Sequence, residues 1–156
     1  MKQVLFDASC WVAAAGSPSG GSSLILRLGQ AGKLKIVSSA RILEEAERII
    51  GKKLGSVALA RFYKVLADVD PKMVEECTSV ELKAWNTLVH EKDCHILAAA
   101  VKAEVDVLVS LDRHHILIED VRNGFPITVC DTKEFLTTIA ADIDPNGAAN
   151  TNANAK

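Results

Sequence analysis

Between Asp93 and Asp112 the chain reads DCHILAAAVKAEVDVLVSLD. The first half, as far as Ala103, is so rich in alanine and larger aliphatic residues that it predicts a helix apolar on most of its circumference. Glu104 marks a turn, and Val105 to Val109 predicts a buried strand. An apolar helix joined this tightly to an apolar strand points to a parallel α/β sheet, in which helices cover both faces. An acid stands at each end: Asp93 opens the helix and Asp112 follows the strand. Parallel sheets bind ligands just beyond the carboxyl ends of their strands, so Asp112 is placed where chemistry is expected.

The alternation continues along the chain. QVLF (3–6) predicts a strand that ends at Asp7, followed by the small-residue helix CWVAAA. GSPSGGSS (16–23) is turn chemistry, with Ser22 or Ser23 available to cap the helix LILRLGQAG. KLKIVS (33–38) predicts a strand. In SARILEEAERIIGKKL the positions Ile42, Leu43, Ala46, Ile49 and Ile50 have helical spacing, Ser38 or Ser39 offers the N-cap, and Gly51 and Gly55 are expected to end the helix. VALARFYKVLA (57–67) predicts another helix. The pattern is weakest from Asp68 to Lys92, where Pro71 breaks the chain and VELKAWNTL predicts one helix. After Asp112, RHHILIEDVRNGF is a loop or short helix, PITVC (126–130) is a last strand, and Asp131 can cap TKEFLTTIAA. Residues 1–141 therefore read as one three-layer α/β/α domain with a mainly parallel central sheet. The polar segment 142–156 reads as a disordered tail.

Composition narrows the function. With 49% hydrophobic residues in 156, one domain with a real core is expected. No apolar run approaches the roughly 20 residues of a membrane helix, and Asp7 interrupts the only stretch that resembles a cleavable leader. The four cysteines are scattered without metal-ligand spacing, which suits a reducing, cytoplasmic setting. The histidines form no zinc signature, and the glycine-rich stretch 16–21 lacks the lysine of a phosphate-cradling loop. It is expected instead to form a flexible loop near the end of the first strand. Phe6, Trp11 and Trp85 are expected in the core. Net charge is only −2, yet from Arg27 to Lys64 nine basic residues face three acids, Glu44, Glu45 and Glu47. That asymmetry fits either a phosphate-binding face or ordinary solvated helix surfaces.

Four carboxylates stand out. Asp7 and Asp112 each follow a strand, Asp93 falls on the apolar face of its helix, and Glu45 shares a ridge with Ile42 and Ile49. Two like charges about 4 Å apart repel by about 1 kcal/mol in water and about 4 kcal/mol at an effective dielectric near 20. Acids gathered at one sheet edge therefore call for protons or a divalent cation, and all-oxygen ligands select Mg²⁺ or Mn²⁺. Ser9 and Ser110 each sit two residues from a strand-end acid, where a hydroxyl can orient a carboxylate. Each acid also has a plainer reading: Asp7 and Asp93 as helix caps, Asp112 as a turn residue, Glu45 as a common early-helix acid.

These residues resemble the PIN-domain family of metal-dependent ribonucleases, which includes VapC-type toxins. The likeness spans the chain to about Ala141. It is carried by VLFDASCWV, RILEEAERII, KDCHILAAAVKAEVDVLVSLDRHHI and ITVCDTKEFL, the third being the most specific. The resemblance implies an acidic quartet at Asp7, Glu45, Asp93 and Asp112, with Ser9 and Ser110 in support. It further implies Mg²⁺ or Mn²⁺ on Asp7, Asp93 and Asp112, and cleavage of single-stranded RNA by a two-metal type of hydrolysis. An antitoxin protein and a homodimer are the partners it implies. Arg41, Lys52 and Lys53 are expected to hold the RNA backbone. Where many relatives place a further acid, two residues after Asp112, this chain has His114, which could support the site by binding a phosphate or assisting proton transfer. A non-catalytic PIN-like module with a degenerate site is therefore the alternative. A phosphoacceptor receiver domain fits less well, because Phe6-Asp7 is not an acid pair and Cys130-Asp131 stands where a lysine would be.

Overall fold

The computed structural model describes residues 1–139. The far end of the last predicted helix and the tail at 142–156 lie outside the described residues. Five strands, β1 (Gln3–Phe6), β2 (Lys35–Ser39), β3 (Lys72–Val74), β4 (Val107–Val109) and β5 (Thr128–Cys130), form one sheet in the order β3-β2-β1-β4-β5. Every pairing is parallel. Central β1 sets the register, with Leu5 opposite Val37 on one side and Leu108 on the other. Val4, Leu5 and Phe6 are wholly buried, because helices cover both faces of the sheet.

The chain runs outward from β1 to β3, then crosses back to β4 on the other side of β1. Right-handed crossovers place the helices of these two halves on opposite faces. On one face α1 (Ala8–Gly16) packs against α2 (Gly21–Gln30), α3 (Ala40–Lys53) and α4 (Ser56–Val69). In the other half α5 (Ser79–Lys83) packs against α6 (Cys94–Lys102), with α7 (Glu119–Gly124) beside β5. After α8 (Thr132–Glu134) the chain continues as a π-helical turn, Phe135–Ile139. The strand order reverses between β1 and β4, and the crevice at that switch point is where such sheets bind ligands.

α6 is buried from Cys94 to Ala100, as its composition requires. Its end is closed by Glu104, whose left-handed backbone (φ 53°) lets Val105 N–H reach the carbonyl of Ala100. Phe6 and Trp11 meet edge to face in the core, Trp11 meets Phe62 the same way, and half-buried Trp85 packs on Phe125.

Three local expectations give way. Ser22 and Ser23 do not cap α2: they lie inside it and are buried, and the Ser23 hydroxyl donates to the Ala14 and Ser17 carbonyls. α3 continues through Gly51, and the chain turns at Gly55 instead, with φ 87°. The helix expected over VELKAWNTL shrinks to Ser79–Lys83, started by a capping box between Thr78 and Glu81. Just before it lies β3, a three-residue edge strand too short to show an alternation.

Candidate functional site

The carboxyl ends of β1 and β4 lie side by side, and the residues that leave them interlock. Asp7 is 2% exposed and serves as the N-cap of α1. Its Oδ1 accepts the Cys10 N–H at 3.2 Å and the hydroxyl of Ser9, while its Oδ2 accepts the hydroxyl of Ser110. Each serine oxygen also accepts a backbone donor from the segment after β4. Ser9 Oγ takes the N–H of Leu111 and Ser110 Oγ that of Asp112, both at 3.0 Å. Two hydroxyls thus clamp one buried carboxylate and stitch the ends of the two strands together. Burial pushes the Asp7 carboxyl up to about 6; its hydrogen bonds from Ser110, Ser9 and Cys10 hold it down in part, and the charge of Asp112 adds to the rise.

Asp112 opens the turn after β4. Its carbonyl accepts the N–H groups of Ile116 and Leu117, and its Oδ1 accepts those of His114 (3.2 Å) and His115 (3.1 Å). The His115 imidazole lies along the carboxylate, with Nδ1 3.1 Å from Oδ1 and 3.2 Å from Oδ2. His114 reaches Asp112 through its backbone N–H, and its ring lies edge-on to that of His115.

Asp93 ends a single 3₁₀ turn (Glu91–Asp93) that leads into α6, so it lies at the strand-end edge of the sheet. Its side chain makes no capping hydrogen bond, and its Oδ2 is buried without a partner. The helix-cap reading of Asp93 therefore does not account for its carboxylate. An orphaned buried oxygen costs stability unless something compensates it. Glu45 is half-buried in the second turn of α3, which starts at the same edge, where Ser39 caps it by accepting the Ile42 N–H. Arg41 stands in the first turn. Lys52 and Lys53 stand at the other end of α3, about 17 Å along its axis.

The fold thus brings Asp7, Ser9, Ser110 and the backbone of Asp112 into one network, and sets Glu45 on α3 and Asp93 just before α6 at the same edge of the sheet. Among the described residues no group of three or more His, Cys, Asp or Glu side chains stands ready to hold a metal ion. The donor chemistry nonetheless suits a hard cation, since the acids supply oxygen ligands only and one oxygen of Asp93 lacks any partner. Unforeseen in the sequence is His95, two residues beyond Asp93. It is 7% exposed and its Nδ1 has no partner. Burial, assisted by the charge of Arg41, pushes its imidazole down to about 4. A polar residue inside an otherwise apolar helix was the only signal for it.

A doubly wound parallel domain with carboxylates at its switch point defines a class of α/β domains whose chemistry is carried by strand-end acids. The sequence model for the PIN domain matches residues 3–114, and the chain belongs to the PIN-domain family. Solved structures share the fold. PAE2754 from Pyrobaculum aerophilum is 22% identical with a TM-score of 0.59, over 90% of each chain. VapC20 of Mycobacterium tuberculosis, described as a sarcin-ricin loop cleaving toxin, is 16% identical with a TM-score of 0.55, over 78% of this chain and 95% of that one. VapBC2 from Rickettsia felis, solved on a DNA fragment from its promoter, is 13% identical with a TM-score of 0.58, over 83% and 98%. A search of curated proteins returned no match.

Proposed function

We propose that this PIN domain is a Mg²⁺- or Mn²⁺-dependent endoribonuclease that cleaves single-stranded RNA. The observation that carries this reading is the strand-end pair at the switch point of the sheet: Asp7, clamped by the Ser9 and Ser110 hydroxyls, and Asp112, whose backbone N–H donates to the same Ser110. Asp7, Asp93 and Asp112 would hold the cation, with Glu45 as a further ligand or a water-orienting acid. When bound, such a cation activates water and neutralises charge developing on a phosphodiester. The chain's own part is to fix Asp7 between two hydroxyls, to offer the unpartnered oxygen of Asp93, and to keep Arg41 at the same edge for the RNA. Lys52 and Lys53 would contact RNA only where the strand runs along α3.

A toxin role is supported by the fold shared with VapC20 and VapBC2, and would bring a small antitoxin partner and a homodimer in a cytoplasmic setting. Among the described residues no helix is long and apolar enough to cross a membrane. A second reading, a binding module with a degenerate site, draws on the His115 ring that occupies Asp112. A Mn²⁺ titration separates them. Binding accompanied by RNA cleavage supports the nuclease, whereas no binding at millimolar Mn²⁺ supports the module.

A further inference from the structure

A second recess opens at the strand-end edge, between α3, the segment after β3, and α6. It is a cavity of about 240 Å³. Pockets that take drug-sized ligands run from roughly 300 to 1,000 Å³, so this one suits a single planar ring system rather than a whole nucleotide. Val74, Leu82 and Ala99 give it apolar walls, while Arg41, Glu44 and His95 are among its polar lining. Arg41 and Glu44 are three residues apart on α3 and so lie on one face of it. Neither enters a salt bridge within the described residues. His95 adds a buried Nδ1 with no partner. With Glu75 and Glu76 also in the lining, one guanidinium, three carboxylates and an unpaired imidazole nitrogen surround the apolar walls, and among them Arg41, Glu44 and His95 Nδ1 are left free to meet a ligand.

We infer that this cavity is a guanine subsite for the RNA substrate, with Arg41 and Glu44 reading the base. The inference rests on the nuclease reading, because it places the base next to the acids. Guanine presents O6 and N7 as adjacent acceptors, which match the fork of an arginine. Its N1–H and N2–H form an adjacent donor pair, which matches a carboxylate. Adenine has an acceptor at N1 that a carboxylate would repel, cytosine has the acceptor pair O2 and N3 but no adjacent ring N–H and amine pair for the carboxylate, and uracil has no adjacent acceptor pair. Glu44 adjoins Glu45 and His95 stands two residues beyond Asp93, so the cavity opens at the same edge of the sheet as the candidate metal ligands.

The test is calorimetric titration of the metal-free full chain with GMP, AMP, CMP and UMP, with imidazole resonances followed by NMR. GMP is expected to bind about tenfold or more tighter than the other three. Its addition should move the His95 ring signals, and Arg41→Ala, an exposed position that should not disturb folding, should abolish the preference. Equal binding of all four nucleotides, or GMP binding that leaves His95 unmoved and survives Arg41→Ala, overturns the inference. RNA cleavage without guanine preference removes the subsite and leaves the nuclease intact. Selective GMP binding in a chain that cuts no RNA keeps the pocket and removes the nuclease.

Discussion

At Asp7, the proposed function and stability pull in opposite directions. Its carboxyl rises from 3.8 to about 6 in the folded protein, chiefly through burial. Between those values the folded state holds a proton that the unfolded state has released, so folding loses stability as pH rises through about 4 to 6. At about 1.4 kcal/mol per pKa unit the loss is about 3 kcal/mol. His95 works the other way. Its folded value near 4 lies below the usual 6.5, so its contribution is present above about 6.5 and lost on acidification. The two effects oppose each other in the wild type, and a difference measurement isolates Asp7. Asp7→Asn keeps the helix cap and removes the buried charge, so it should stabilise the protein by about 1–3 kcal/mol at pH 7.5. Urea titrations of both proteins should converge below about pH 4; a constant gap would mean that Asp7 is not the titrating group. Of this site the sequence made the strand-end acids and their neighbouring serines legible, because strand ends can be read from a run of apolar residues. The His115 contact was not legible, since it depends on the tight turn after β4. Nor was the unpartnered state of Asp93, which depends on the 3₁₀ turn before α6.

Among the elements, Gly29 of α2 and Gly51 of α3 should respond to alanine in opposite ways. A Cβ on Gly51 of α3 would meet only Leu59 Cδ2, at 3.8 Å. Gly51→Ala therefore gains helix propensity and should stabilise by up to about 1 kcal/mol. A Cβ on Gly29 of α2 would stand 2.7 Å from Ile36 Cγ1 on β2. There the clash should outweigh the propensity, making Gly29→Ala destabilising by about 1 kcal/mol or more. Thermal melts of the two variants check this, and a Gly29→Ala protein that melts above wild type would contradict the α2–β2 packing. The same contrast explains why, of the two glycines expected to end α3, only Gly55 does so. Gly51 looks like a stop signal, whereas the left-handed turn actually falls at Gly55. α3 and α4 were readable because burial of one face imposes a helical period, and β1 and α6 because their burial requires a continuous apolar run. β3 was not, because three edge residues beside Pro71 impose none.

Over the whole molecule, sheet order determines the site. β1 and β4 are far apart in sequence and adjacent in space, and this adjacency turns two ordinary strand-end acids into a pair. A cation bound at that pair would relieve the cost of the buried Asp7 charge as well as enabling chemistry. Mn²⁺ should therefore raise the melting temperature of the wild type at pH 7.5 by mass action, and should do so far less for Asp7→Asn. Scanning calorimetry with and without the metal reads this directly; equal shifts in both proteins would place the cation elsewhere. The central claim, that the strand-end pair is a nuclease centre, is tested by Mn²⁺-dependent cleavage of a single-stranded RNA. Wild type should cut, and Asp7→Asn and Asp112→Asn should each lose at least about a hundredfold in rate, as expected when a charge-stabilising group is removed. If both variants remain folded and cut as fast as wild type, Asp7 and Asp112 do not form the catalytic centre.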